Sequence, residues 1–264
     1  VTGVQTCALP IYYTGKLTIA AKSYSLTGNL AVSPTGNTAS NGQPIFIRHN
    51  NQDVPFTFTI NSTTGILTGS LDPAASLTGV RSQAGTTRTG IYNFSAARST
   101  TPPQLEPQGA SYAGMTLSTL AISKIAGRLA DGSVFTASSP LGTDGRIFIY
   151  QTLYKVPGSI LGNLTLASDN SHTITGNLTW TKPTQTSGAV YSAGWTGRIP
   201  LVVSGGKYRP AIGATLPLDA TPSATNNARL VLQDGGIAVN PINVPLRLLS
   251  PTTLSIAAPQ RLTI

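Results

Sequence analysis

Charge is what this chain has least of. Charged residues make up 9% of its 264 positions, far below the roughly 25% of an ordinary soluble domain, and glutamate occurs once, at Glu106. Without Glu, and with few Lys, the chain lacks the residues that helices turn to water. No stretch carries a 3.6-residue apolar period either, so almost no helix is expected. No apolar run approaches the ~18 residues of a membrane helix. Histidine occurs twice, as His49 and His172, and cysteine once, as Cys7. There is no Asp-x-Asp-x-Asp-Gly loop, no His/Cys grouping and no Gly-rich phosphate loop ahead of a helix, so neither metal nor cofactor is expected.

Cys7 lies in an opening segment, Val1–Ile11, that has its own reading. Translated back codon by codon, it resembles a common short-read sequencing adaptor, whose next base suits the codon of Tyr12. Residues 1–11 are therefore expected to be non-native, and the chain to be a fragment of environmental sequence whose true start is missing. The polypeptide proper is then free of cysteine, which leaves no disulfide and no thiol chemistry.

What is abundant points to strands. Gly (27) and Pro (19) are frequent, Thr, Ser and Asn are plentiful, and hydrophobic residues reach 40%, a mixture that suits β-strands and tight turns. The formal net charge is +9, which by itself could mean nucleic acid. The arginines, however, are scattered singly from Arg48 to Arg261, with no run of three basic residues and no aromatic-interleaved stripe. Nucleic-acid binding leaves a clustered patch, so no nucleic-acid partner is expected.

One phrase recurs: apolar, any, Gly, any, apolar. It stands at Leu26–Leu30, Leu67–Leu71, Ile125–Leu129, Ile160–Leu164 and Ile174–Leu178. Side chains alternate along a strand, so the apolar residues and the central Gly share one face. In Thr173–Trp180, Ile174, Gly176, Leu178 and Trp180 face one way and Thr173, Thr175, Asn177 and Thr179 the other, the pattern of an antiparallel sheet with one dry face. Gly weakens a strand, and its repetition on the dry face is the device by which sheets bend and close. The expected class is all-β: antiparallel up-and-down meanders curled into barrel-like modules. The alternative is a flat β-sandwich.

Turn signals divide the chain. A first module is expected over 12–84 and a second over 88–204. The second has eight strands, near Gly90–Ala97, Ser111–Ser118, Ile122–Ala130, Ser133–Ser138, Arg146–Leu153, Gly158–Ala167, His172–Thr181 and Trp195–Val203, with a Pro-rich loop over Ser99–Gly109. Eight sequential strands suit an up-and-down barrel. A third module starts near Gly205, with strands near Ala214–Leu218, Arg229–Leu232, Ile237–Leu249 and Thr252–Ala257. Its end, Arg261–Ile264, matches Thr57–Ile60 of the first, as though the chain broke off mid-repeat.

Three phrases, Ala126–Gly132, Leu153–Leu164 and Leu178–Pro183, resemble a β-rich repeat module near the C-terminus of very large secreted proteins of environmental bacteria. The resemblance covers Tyr12–Ile264 and is most specific over Gly90–Pro210. It implies an extracellular or cell-surface location, neighbouring domains of the same polypeptide as partners, and a structural or adhesive role. It carries over no activity and no catalytic residue.

The candidate chemistry is thin. His49 and His172 sit at polar turn ends, without the oriented hydroxyl and acid of a nucleophilic triad. Asp131, Asp144 and Asp234 each precede Gly, and Asp72 precedes Pro73, which reads as turn chemistry. No catalytic residue is expected. The aromatics remain: Trp180 and Trp195 bracket a Gly/Ser/Pro-rich loop that carries Tyr191. Exposed rings of this kind can stack on sugars, so Trp195, Tyr191 and Trp180 are candidate ligand-binding residues, with polysaccharide or cell-surface material as the partner. The competing reading makes Trp180, in phase with Ile174 and Leu178, a plug at the barrel end. A transmembrane barrel shares the period of two, but the chain shows no aromatic girdles and its second face is mainly short Thr, Ser and Asn. No membrane insertion is expected, and an outer-membrane β-barrel fragment stands as the second alternative.

Overall fold

The computed structural model describes residues 11–19, 22–71, 75–169, 171–186, 190–208, 221–232, 241–250 and 253–256. Among them there are strands, turns and no helix. The protein is all-β, and its larger sheets are curled, one into a nearly closed barrel and one into a half-barrel. The chain falls into two compact units, Val1–Lys207 and Tyr208–Ile264. The expected strand at Ala214–Leu218, the closing segment Arg261–Ile264, residues 1–10 and the acids Asp72, Asp219 and Asp234 lie outside the described residues.

The half-barrel is built from β1 (Ile11–Ile19), β2 (Lys22–Val32), β3 (Thr38–Ser40), β4 (Ile45–His49), β5 (Gln52–Asn61), β6 (Ile66–Leu71) and β7 (Ala75–Val80). The order is β1-β2-β3-β5-β6-β7, with β4 also on β5. The short β3 escapes the sequence pattern. β3 pairs the far end of β5 and β4 its near end. Between them the Asn41 amide supplies the missing ladder bonds, accepting from Phe58 N–H (2.9 Å) and donating to Phe56 C=O (3.0 Å). The small core centres on Leu26, Ile47, Phe56 and Phe58.

The barrel is an eight-stranded meander: β8 (Gly90–Ala97), β9 (Ser111–Leu117), β10 (Ile122–Arg128), β11 (Val134–Pro140), β12 (Arg146–Leu153), β13 (Gly158–Leu166), β14 (Thr173–Thr181) and β15 (Ile199–Lys207). Its strands match the expected ones closely, except that β15 starts four residues later, which leaves Trp195 in the preceding loop. The first and last strands pair antiparallel, from Val202↔Ala97 to Lys207↔Tyr92, and close the sheet on one side. The hydrogen-bonded path therefore runs β11-β10-β9-β8-β15-β14-β13-β12. It ends at a seam where β11 and β12 carry no ladder between them. One end of that seam is stitched by the incoming connector, through Gln83 N–H to Leu141 C=O (2.8 Å) and Thr143 N–H to Arg81 C=O (2.9 Å).

Inside, a single apolar cluster fills the barrel, from Tyr92, Phe94 and Met115 through Ile147, Ile160 and Leu164 to Leu178 and Trp180. This is the dry face anticipated from the period of two. The glycines on that face do what their repetition implied. Gly162 pairs with Leu178 and Gly176 with Leu164. A Cβ on Gly176 would fall well inside van der Waals contact of the Asn163 carbonyl, and one on Gly162 would collide with the Asn177 carbonyl. The two strands thus fold over each other where no side chain separates them, which tightens the sheet's curvature.

The second unit pairs β16 (Ala228–Leu232), β17 (Ile242–Ser250) and β18 (Thr253–Ile256) as a three-stranded antiparallel sheet, with Val244, Leu246 and Leu248 buried.

Gly176→Ala should therefore cost about 1–3 kcal/mol, the usual range for overpacking, read as a lower urea midpoint with an unchanged slope. Gly132→Ala, at a turn where added bulk meets nothing, should lose only the roughly 1 kcal/mol of its positive φ. Equal losses in the two variants would show that close strand approach is not the constraint.

Candidate functional site

All loops that are long in the barrel lie at one end. Residues 98–110 join β8 to β9, and residues 182–198 join β14 to β15. The tight β10–β11 and β12–β13 turns share that end. The chain enters at Gly90 and leaves at Lys207 at the opposite one.

Beneath these loops, in a mainly apolar interior, sits a polar cluster. Lys182 continues the inward phase of Ile174, Gly176, Leu178 and Trp180 by one more step, so its side chain enters the barrel end. Its Nζ lies 2.6 Å from Asp131 Oδ2, and the side chains are 1% and 0% exposed. Asp131 reaches the same point from the β10–β11 turn. Its Oδ1 accepts the Ser133 backbone N–H at 2.9 Å, the turn role expected of an Asp before Gly. Tyr154, from the β12–β13 turn, donates its hydroxyl to Asp131 Oδ2 (2.8 Å) and accepts Trp180 Nε1–H (2.8 Å). To do so it takes φ = 67°, an outlier for a bulky residue that the surrounding packing must hold.

Lys182 also organises the long β14–β15 loop. Its ammonium donates to Val190 C=O (2.8 Å), and its own carbonyl accepts the Trp195 backbone N–H (3.1 Å). The ammonium lies 4.7 Å from the Tyr154 ring centre and 5.8 Å from that of Trp195, within cation–π range. Trp195 packs edge-on against Trp180, ring centres 4.4 Å apart. Burial alone would push the Asp131 carboxyl upward. The Lys182 ammonium, the Ser133 N–H and the Tyr154 hydroxyl outweigh it and hold the carboxyl below its ordinary range. The Tyr154 phenol is driven up, first by burial and then by the charge of Asp131.

The three aromatic candidates separate. Trp180 is 1% exposed and belongs to the core, so its ring offers no face to a ligand arriving from solvent. Trp195 and Tyr191 are half-buried in the loop, Tyr191 at φ = 57°. The histidines stay apart. His49 ends β4 and shares a hydrogen bond with the Tyr24 hydroxyl (2.6 Å), while His172 precedes β14 in the barrel. Of the turn acids, Asp144 pairs with Arg146 in its own turn. Among the described residues no three His, Cys, Asp or Glu side chains gather as a metal site would need. Two shallow depressions, of about 440 and 400 Å³, lie on the half-barrel around Phe58 and Leu67, away from the cluster.

Sequence reasoning passes over the Asp131–Lys182–Tyr154 arrangement, because Asp131 reads as a turn residue. The usable signal is the phase of Lys182: a lysine on the dry face of a strand needs a buried counter-charge. The three phrases of the resemblance carry Asp131, Tyr154 and Trp180 with Lys182, one phrase each, and the fold brings them together.

No protein-family model, curated protein or solved structure matches this chain.

Removing one partner of a buried pair strands the other charge, at a cost of about 3–5 kcal/mol. Asp131→Ala should lower the urea midpoint by that equivalent. Tyr154→Phe, which leaves the Trp180 N–H without its acceptor, should cost about 1–3 kcal/mol. Tryptophan fluorescence during unfolding measures both, and an Asp131→Ala midpoint at the wild-type value would refute the cluster's structural role.

Proposed function

We propose that this chain is a non-enzymatic structural or adhesive β-repeat segment of a large secreted or cell-surface bacterial protein. One observation carries the reading. The barrel presents two long loops at one end and both its chain connections at the other, while its interior is filled by its own side chains. That is the arrangement of a scaffold displaying a surface away from its neighbours in the polypeptide. The buried side chains of Asp131, Lys182 and Tyr154 at the loop end are engaged with one another and with backbone, an engagement that fixes loops in place. An outer-membrane barrel would need the opposite polarity, with its apolar side turned to lipid; here Phe94, Ile147, Ile160, Leu164 and Leu178 fill the interior, while Ile91, Ile122 and Leu161 are exposed. Purified protein incubated with ester, glycoside, peptide and phosphoester substrates should give no turnover. Robust turnover abolished by a single His or Asp substitution would overturn this reading.

A second reading, carbohydrate binding, is favoured by Trp195 and Tyr191, which are half-buried in the same loop rather than enclosed in the core. Trp180 contributes by backing Trp195, against which it packs in a T-shaped contact. On a glycan array the wild type should retain polysaccharide ligands that Trp195→Ala loses by tenfold or more, consistent with the roughly 1–3 kcal/mol carried by a ring anchor. Binding indifferent to that change, or none at all, removes the reading.

A further inference from the structure

We propose that Lys182 and Asp131 condense into an intramolecular isopeptide bond that ties the end of β14 to the β10–β11 turn.

Three features of the geometry support the reaction. First, the amine and the carboxyl are in contact at 2.6 Å with essentially no solvent exposure. Water at about 55 M is what normally drives amide formation backwards, and here it is kept out. Holding the two groups together in the fold replaces a bimolecular encounter, an effect worth many orders of magnitude in effective concentration. Second, the two carboxyl oxygens are differentiated. Oδ1 faces the Ser133 backbone N–H at 2.9 Å, a donor suited to the charge that develops on a carbonyl oxygen under attack. Oδ2 faces both the lysine Nζ and the Tyr154 hydroxyl, which is where protons must arrive for it to leave. Third, the product is already solvated by the protein: the Val190 carbonyl, 2.8 Å from Nζ, is placed to accept the one N–H that an amide keeps.

The step balances without any outside reagent. A proton passes from the Lys182 ammonium to Asp131 Oδ2 across their 2.6 Å contact, turning an ion pair into a neutral pair; desolvation lowers the cost of this step, against the hydrogen bonds that hold the carboxylate ionised. The freed lone pair on Nζ attacks Cγ, and the charge goes to Oδ1 against the Ser133 N–H. As the carbonyl re-forms, the Cγ–Oδ2 bond breaks. Oδ2 takes a second proton from nitrogen directly across their contact and leaves as water, while the Tyr154 hydroxyl donates its hydrogen bond to the departing oxygen. The ammonium has lost two protons, the carboxylate one oxygen, and the net charge is unchanged.

The bond would have a defined place in the fold. Residues 131 and 182 lie on opposite sides of the β11–β12 seam, the one gap in the ladder of the barrel, so the bond would close covalently what backbone hydrogen bonds leave open. It would also close a loop of about fifty residues, long enough for a large effect on the unfolded chain.

Intact-mass spectrometry of the purified full chain decides the matter. The folded wild type should weigh one water less than its sequence. Trypsin should release a branched species joining Leu129–Arg146 to Val156–Arg198, since Lys182 precedes Pro183 and is not cut. Lys182→Met should restore the sequence mass, and Tyr154→Phe, which keeps both reacting groups, should slow the loss of water by tenfold or more. A wild type that shows buried-tryptophan fluorescence yet keeps its full mass after days of incubation would overturn the proposal. So would a loss of water that survives in Lys182→Met, because that is the signature of a succinimide at Asp131–Gly132 instead.

Discussion

The barrel depends on how closely its strand backbones approach one another on the inner face. At Gly162 and Gly176 adjacent strands lie so near that even a methyl group would strike a carbonyl oxygen. A sheet that is pinched on one face must curl toward that face. Curling brings β15 back to β8 and sets the two remaining edge strands, β11 and β12, beside each other across one seam, so that neither edge stands open as it would in a flat meander. The enclosed apolar cluster follows from the same constraint, since a curled sheet hides its dry face without a second layer. It also explains how so weakly charged a sequence assembles: cohesion comes from burial and backbone ladders, and ion pairs are few among the described residues.

Against that background the Lys182–Asp131 pair stands out. A buried ion pair contributes little net stability on average, because desolvation offsets most of the attraction. Its value here is positional. The pair, with Tyr154 and Trp180, ties together three of the turns at the loop end and anchors the carbonyl of Val190 and the amide of Trp195. Loop residues that would otherwise drift are pinned to the barrel wall, and the strained backbone of Tyr154 is held by the bonds its hydroxyl makes.

Much of the architecture was legible in the residues, because the period of two leaves a direct mark. The alternation in Thr173–Trp180 gave the faces of β14, and the Asp-Gly turns gave the joints between barrel strands. Where the pattern fades, legibility fades with it. β3 is three residues long, too short for alternation, and its partner bonds come from a side-chain amide at Asn41. β15 starts at Ile199 rather than at Trp195: tryptophan suits a strand, but the Trp195 backbone N–H is committed to the Lys182 carbonyl. The cluster leaves the faintest mark in the sequence. Asp131 satisfies turn chemistry through Oδ1 and does something else through Oδ2, and local sequence speaks only of the first. The phase of Lys182 was the one clue that reached across the barrel.

The closure of β8 on β15 has a mechanical corollary. Their outer ends, Tyr92 and Lys207, are register partners, so a load pulling the flanking polypeptide apart acts across the ladder and opens its bonds one pair at a time, like a zip. Strands loaded lengthwise must break many bonds at once; these need not. The barrel would surrender at small forces and pay out chain from β8 and β15 first, a shock absorber rather than a girder.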